Sequence, residues 1–181
     1  MNERINKVLR FLDEHEIEYK VVHHPPLFTI EEALPFWDSH EELKGSTHCK
    51  NLFLRNHSGK RHYLVTMECH KSLDFTQLQK IISEGKLSFA SAERMERCLG
   101  LQPGSVSPLG LINDIDLAEA NPRELFENGH RVKFFADKDL KDAEMMTFHP
   151  CDNTASVALS HENFHKFLNI WGGEVEWLTV E

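Results

Sequence analysis

Three polar stretches lie where apolar segments end, and they hold the residue types that can do chemistry. In GSTHCKNLFLRN, Gly45 to Asn56, Lys50 and Asn51 stand at the mouth of the apolar run Leu52-Phe53-Leu54. A cation and an amide are rarely placed at the mouth of a core strand for packing alone. In FHPCDNTAS, Phe148 to Ser156, His149 precedes a proline and is followed by Asn153 and Thr154. The third stretch, LGLQPGSVSPLGLIND from Leu99 to Asp114, carries Gly104, Ser105 and Pro108. Glycine there allows a backbone to approach a ligand closely and offer its N–H groups. The three stretches are expected to meet at one site. No Ser-His-Asp set is evident, and Ser105 and Ser107 are not read as nucleophiles.

The elements that must position these residues follow from periodicity and punctuation. Ile5, Val8, Leu9 and Leu12 give one apolar face to a helix over Asn2 to His15. A short strand is expected at Tyr19 to Val22, broken by His23-His24-Pro25-Pro26. Thr29 with Glu32 is a capping box starting a helix at Ile30, which Pro35 should shorten or kink. Short and weakly anchored, that helix reads as a lid or as an ordinary surface helix. Lys50 to Arg55 and His62 to Met67, joined by Asn56-His57-Ser58-Gly59, read as a β-hairpin. Asp74 caps a helix that Gly85 ends, and Ser91 caps another that Gly100 ends. Leu101 to Asp114 is expected to be an irregular loop, and Asn121-Pro122 to open a helix stopped by Gly129. Strands are expected at Arg131 to Ala136, Glu144 to Phe148 and Ala155 to Leu159. A helix capped by Ser160 and an edge strand from Glu174 to Val180 should follow. The fold class is α/β: a mixed, largely antiparallel curved sheet surrounded by helices, one domain over residues 1–181.

Composition excludes several classes. At 181 residues, 40% hydrophobic and 27% charged, the chain is an ordinary globular one. No apolar run approaches the roughly 18 residues of a membrane span. MNERINKVLR is too polar for a secretory signal, so a cytoplasmic location is expected. Four separated cysteines without a C-x-x-C read as reduced thiols. A net charge of -9 disfavours nonspecific nucleic-acid binding but leaves room for a local basic patch. His161 and His165 lie four apart on a helix without an evident third ligand, so no metal or other cofactor is expected. No glycine-rich nucleotide motif occurs.

At these motifs the sequence resembles the YbaK/prolyl-tRNA-synthetase-associated domain family, in particular its freestanding relatives of the editing domain inserted in bacterial prolyl-tRNA synthetases. FTIEEA (Phe28 to Ala33), HCKNLFLRN (His48 to Asn56), the run from Lys86 to Asp114 and HPCDNTASVALS (His149 to Ser160) carry the resemblance across nearly the whole chain, in order. It implies hydrolysis of the ester between a mischarged amino acid, alanine in this subgroup, and the terminal ribose of tRNA(Pro). It also implies, residue by residue, that Lys50, Asn51, His149 and Gly104 act in catalysis. Ser105, Pro108, Thr29, Asn153 and Thr154 would contact substrate. The connection from Asn113 to Lys133, with its ANPRELFENG segment, is longer than the family leads one to expect.

Under that resemblance Lys50 would hold the terminal phosphate or ribose as a point charge. Asn51 would bond a ribose hydroxyl or the substrate carbonyl. His149 would bind the amino group or orient water. Backbone N–H groups around Gly104 and Ser105 would face the oxyanion. Lys44, Lys50, Lys60 and Arg61 would meet the acceptor end. The implied partner is a mischarged tRNA(Pro) acceptor end, with transient contact to prolyl-tRNA synthetase, met by a monomer. A noncatalytic tRNA-end-binding module, a deacylase for cysteine or serine, and a hydrolase of another activated ester are the competing readings.

Overall fold

The structure, a computed structural model, describes residues 2–181. Local hydrogen bonds set most element boundaries. Helix α1 (Glu3–Glu14) starts where Asn2 Oδ1 accepts from the N–H groups of Arg4 and Ile5, and it buries Ile5, Val8 and Leu12. Strand β1 (Lys20–His23) follows, then α2 (Ile30–Asp38). The Thr29/Glu32 capping box forms in both directions. Contrary to expectation, α2 runs through Pro35 and is firmly held at its far end, where Trp37 is 6% exposed.

Strand β2 (Thr47–Arg55) begins earlier than expected, so Lys50 and Asn51 lie inside a strand and not at a loop's end. It forms the expected hairpin with β3 (His62–Glu68). Helix α3 (Phe75–Ile82) ends on Ser83, which takes the left-handed conformation (φ 57°) assigned by sequence to Gly85. Strand β4 (Ser88–Phe89) and helix α4 (Ala92–Leu99) come next, and Gly100 ends α4 at φ 64°.

Two expectations fail in the following connection. Within the supposed loop, Pro108–Asn113 forms a buried 3-10 helix capped by Ser107. The expected helix from Asn121 to Gly129 is only a 3-10 turn, Pro122–Glu124. There the amide of Phe126 donates to His130 O instead of continuing a helix, and its ring packs edge-on against Tyr63. Strand β5 (Val132–Asp137), a 3-10 turn at Lys138–Asp142, strands β6 (Met145–Phe148) and β7 (Ala155–Ser160), helix α5 (His161–Trp171) and strand β8 (Val175–Leu178) complete the chain.

The sheet has 8 strands in the order β1-β7-β6-β2-β3-β5-β8, with β4 beside β2. Pairings β1–β7, β7–β6, β2–β3 and β2–β4 are antiparallel, and β2–β6, β3–β5 and β5–β8 are parallel. Helices α1, α4 and α5 cover one face with Val8, Leu12, Leu99, Phe164, Phe167 and Trp171. On the opposite side α3 and α2 cover separate parts, through Leu78 and through Ala33 and Trp37.

Strand β2 joins the two halves. Thr47 and His48 pair with β6, whereas Leu54 and Arg55 pair with β4 on the same edge. The other edge runs unbroken along β3 from Cys49 to Arg55. Cys69 N–H donates to His48 O and Asn56 N–H to Arg61 O, so the even-numbered residues turn their main chain toward β3. Ala90 N–H donates to Phe53 O, so the odd-numbered ones face the other edge. The Asn51 main chain therefore faces the interval between β6 and β4.

Candidate functional site

The parallel ladder between β2 and β6 ends with His48 opposite Thr147. Carrying its offset forward brings Cys49 level with Phe148 and Lys50 level with His149. This is where the two strands part, at the carboxyl end of β6. Residues level on neighbouring parallel strands point to the same side. Carried one residue past the end of β6, that alternation puts His149 on the side of Lys50, the side on which Trp37 of α2 stacks on His48. Asn51, one residue on, points to the other side, where its Oδ1 accepts from Thr66 Oγ1 at 2.5 Å. The expectation that the Lys50 and Asn51 side chains act together is thus not met. Lys71 and Lys133 are held by pairs of carboxylates, but Lys50 has no such partner among the described residues.

His149 has one nitrogen committed. Its Nδ1–H donates to Ala155 O at 3.0 Å, because a carbonyl can only accept, and this leaves the Nε2 lone pair free. Nε2 has no partner among the described residues and is not among the fully buried unpaired atoms, so it opens to solvent. Burial lowers the pKa of His149, His24 nearby lowers it further, and the Ala155 carbonyl and Asp152 oppose the shift. The ring is neutral at neutral pH.

A relay beneath α2 fixes the surroundings. His24 Nδ1–H donates to Pro25 O at 2.8 Å, and His24 Nε2 accepts from the Ser156 hydroxyl at 2.8 Å. Trp37 Nε1–H donates to the same hydroxyl oxygen at 3.1 Å. The Trp37 ring stacks on His48 at 4.1 Å, and the His24 ring lies 6.2 Å from that of His149. Sequence reasoning passed over His24, Trp37 and Ser156. The signal for Ser156 was a small hydroxyl inside the apolar strand run ASVAL, which needs a buried partner.

A cavity of about 190 Å³ is lined by Phe28, Gln102, Pro103, Ser105 and Cys151 to Asn153, with Arg4 at its side. Asn153 and Ser105 line it directly, and Thr29 adjoins Phe28. Thr154 is turned inward on Asp152, donating through its N–H at 3.0 Å and its hydroxyl at 2.5 Å. Gly104 takes φ 90° with open space where a Cβ would stand. The Ser105 N–H is spent on Gln102 O, so it is not an oxyanion donor here. Pro108 is buried as the first residue of the 3-10 helix and does not line the cavity. A larger cavity of about 570 Å³ between α1 and Glu96 to Asn113 shares only Arg4 and Cys151 with the smaller one.

The expected basic patch does not form. Lys60 and Arg61 lie at the far turn of the hairpin from Lys50, six residues or about 20 Å along the strand. Arg61 caps Phe126 at 5.2 Å and donates to Arg123 O. Lys44 pairs loosely with Glu41 at 3.7 Å. Among the described residues, Glu68, Cys69 and His70 bring one ligand atom each within 4.8 Å of one another. They are bonded to each other: the Cys69 thiol and the His70 ring both lie against Glu68 Oε1, and burial followed by Glu68 pushes the thiol up to about 12. His161 and His165 do not form part of such a cluster.

Buried imidazoles give the fold an acid limit. Burial is the first cause of lowered pKa values at His24, His48, His62 and His149. At His62, which accepts from Arg94 at 3.0 Å, burial and the surrounding arginines bring it to about 3. The unfolded chain takes up these protons below its ordinary value of about 6.5, and the folded chain refuses them. Stability should therefore be full above about pH 6.5 and fall as pH drops toward 3, with His62 contributing about 4 kcal/mol. Urea titrations between pH 7.5 and 4.5, above most carboxylate titration, would read this slope. A flat profile would contradict the neutral imidazoles.

A family model for the aminoacyl-tRNA editing domain matches residues 24–167. The chain belongs to this family. It is 36% identical over 166 residues to the prolyl-tRNA editing protein ProX of Acetoanaerobium sticklandii, covering 91% of this chain and 90% of that one. The prolyl-tRNA synthetase associated domain-containing protein 1 of Mus musculus is 33% identical over 159 residues, covering 86% and 84%. Among solved structures, a candidate trans-editing enzyme for prolyl-tRNA synthetase superposes with a TM-score of 0.67 at 18% identity, over 99% of this chain and 98% of that one. The likeness confirms the α/β fold with its mixed sheet. The editing-domain match spans both Lys50 and His149.

Proposed function

We propose that this protein is a trans-editing aminoacyl-tRNA deacylase that hydrolyses the ester of mischarged tRNA(Pro), with alanyl-tRNA(Pro) as its main substrate. The reading is supported by the register of β2 with β6, which ends at His48 opposite Thr147, two residues before Lys50 and two before His149. The aminoacyl ester is already activated, so positioning and charge suffice. Lys50 supplies a point charge to the terminal phosphate or the developing oxyanion. His149 Nε2, with its tautomer fixed by Ala155 O, accepts a hydrogen bond from water or from the substrate amino group. Gly104 and the main chain of Asn51 are the backbone groups available to the carbonyl oxygen. Asn153 lines the adjoining cavity, with Thr29 at its rim and Thr154 bracing the turn. Among the described residues no helix is long and apolar enough to cross a membrane, and the reading places the protein in the cytoplasm. It acts there as a monomer that meets prolyl-tRNA synthetase only transiently.

Selectivity follows from size. A pocket fitted to alanine excludes proline sterically, whereas one extra small group changes binding by only roughly 1–3 kcal/mol. Purified protein should release alanine from alanyl-tRNA(Pro), spare prolyl-tRNA(Pro), and act on seryl- or cysteinyl-tRNA(Pro) within about 200-fold of alanine. No release above the buffer rate from any of the three mischarged tRNAs would remove the hydrolase reading in favour of a tRNA-end-binding module.

A further inference from the structure

We propose that Phe28 is the stacking platform for the terminal adenine of the acceptor end, seating that base over the cavity beside the Cys151–Asn153 turn. The inference rests on the tRNA reading above and adds a subsite to it. Phe28 is 77% exposed, more than any other large apolar side chain among the described residues. Its ring adds little to the core, yet its backbone is firmly placed. The Phe28 N–H donates to Glu32 Oε2 at 2.9 Å, Thr29 N–H donates to the same oxygen at 3.3 Å, and Thr29 Oγ1 accepts from Glu32 N–H at 3.2 Å. Pro25 and Pro26 restrict the chain just before it. A rigidly held, unburied aromatic on a cavity rim is suited to a planar π-system.

The rest of the cavity fits the edges of a purine. Gln102 and Asn153 line it, and neither side-chain amide has a hydrogen-bond partner among the described residues. An amide offers both a donor and an acceptor, the pair that a ring nitrogen and an exocyclic amine require. His149 lies two residues before Cys151 on the same turn. A base held here directs its ribose, and the ester on it, toward His149 and Lys50. Stacking tolerates any base, which suits a platform at the invariant end of a tRNA.

The test uses an RNA minihelix bearing a non-hydrolysable 3′-alanylamide, with adenosine or an abasic ribose at the terminus. Wild type should bind the adenosine form about tenfold more tightly. Phe28→Ala and Phe28→Leu should lose that preference, and Phe28→Trp should keep it; loss of general apolar contact alone would spare the leucine variant. In deacylation the first two should raise KM with little change in kcat. If Phe28→Ala keeps the full preference for adenosine, the platform is overturned whether or not hydrolysis proceeds. If wild type fails to hydrolyse alanyl-tRNA(Pro) but shows the Phe28-dependent preference, the subsite stands and the hydrolase reading falls.

Discussion

Lys50→Ala is expected to lower kcat/KM for alanyl-tRNA(Pro) about 100-fold or more, with stability nearly unchanged. The magnitude follows from removing a positioned charge from a site where an oxyanion develops. The small effect on folding follows from the lack of any ion pair to Lys50 among the described residues, in contrast to Lys71 between Asp137 and Asp139. Lys50→Arg should recover only part of the loss, because a planar fork cannot take the place of a compact ammonium at one level of a strand. Single-turnover rates alongside Kd for a non-hydrolysable analogue would separate the two uses of the charge. A fall in affinity alone would assign Lys50 to the phosphate, and a fall in rate alone would assign it to the ester. Wild-type rates in Lys50→Ala would remove the lysine from the site.

Asp114→Ala should cost about 3–5 kcal/mol of stability without touching the proposed chemistry. Asp114 is wholly buried, and its carboxylate collects the N–H groups of Arg131 at 2.8 Å and Val132 at 3.3 Å, the Trp171 indole N–H at 3.0 Å and the His130 ring at 3.3 Å. One side chain thus ties the end of the 3-10 segment to the start of β5 and to the last residue of α5. Burial raises its pKa, and the hydrogen bonds with the His130 charge oppose that rise. Truncation leaves several buried donors without acceptors, which is the costly half of losing a buried polar contact. In a chain of this size the thermal midpoint should fall by about 10 °C. An unchanged midpoint would mean that water replaces the carboxylate.

The boundaries legible in the sequence were those fixed by local hydrogen bonds. Thr29, Asp74, Ser91 and Ser160 each cap the helix they were read to cap, and Gly100 and Gly172 each end one in the left-handed region. The misreadings came where distant contacts decide. Pro108–Asn113 becomes helical because it is buried against α4, where the carbonyl of Leu99 would lie 2.8 Å from a Cβ on Gly110. Asn121-Pro122 supplies a helix start, but Phe126 is drawn onto Tyr63 and the turn closes on His130. In the proposed site, the histidine and lysine were visible as motifs. The separation of Lys50 from Asn51 already followed from the expected strand starting at Lys50, since neighbours in a strand must face opposite ways. Nothing local revealed that Lys60 and Arg61 stand at the wrong end of the hairpin.

The switch of β2 from one neighbour to another has a consequence for how the protein is dissected genetically. The N–H and C=O of Asn51 face an interval in which the sheet provides no partner strand. Every residue type except proline carries the same two groups there. An alanine scan across Thr47–Arg55 would register Lys50 and pass over this contribution in silence, and an inherited change at position 51 would leave it intact. Proline scanning, or replacing a single amide with an ester linkage, reaches what side-chain substitution cannot.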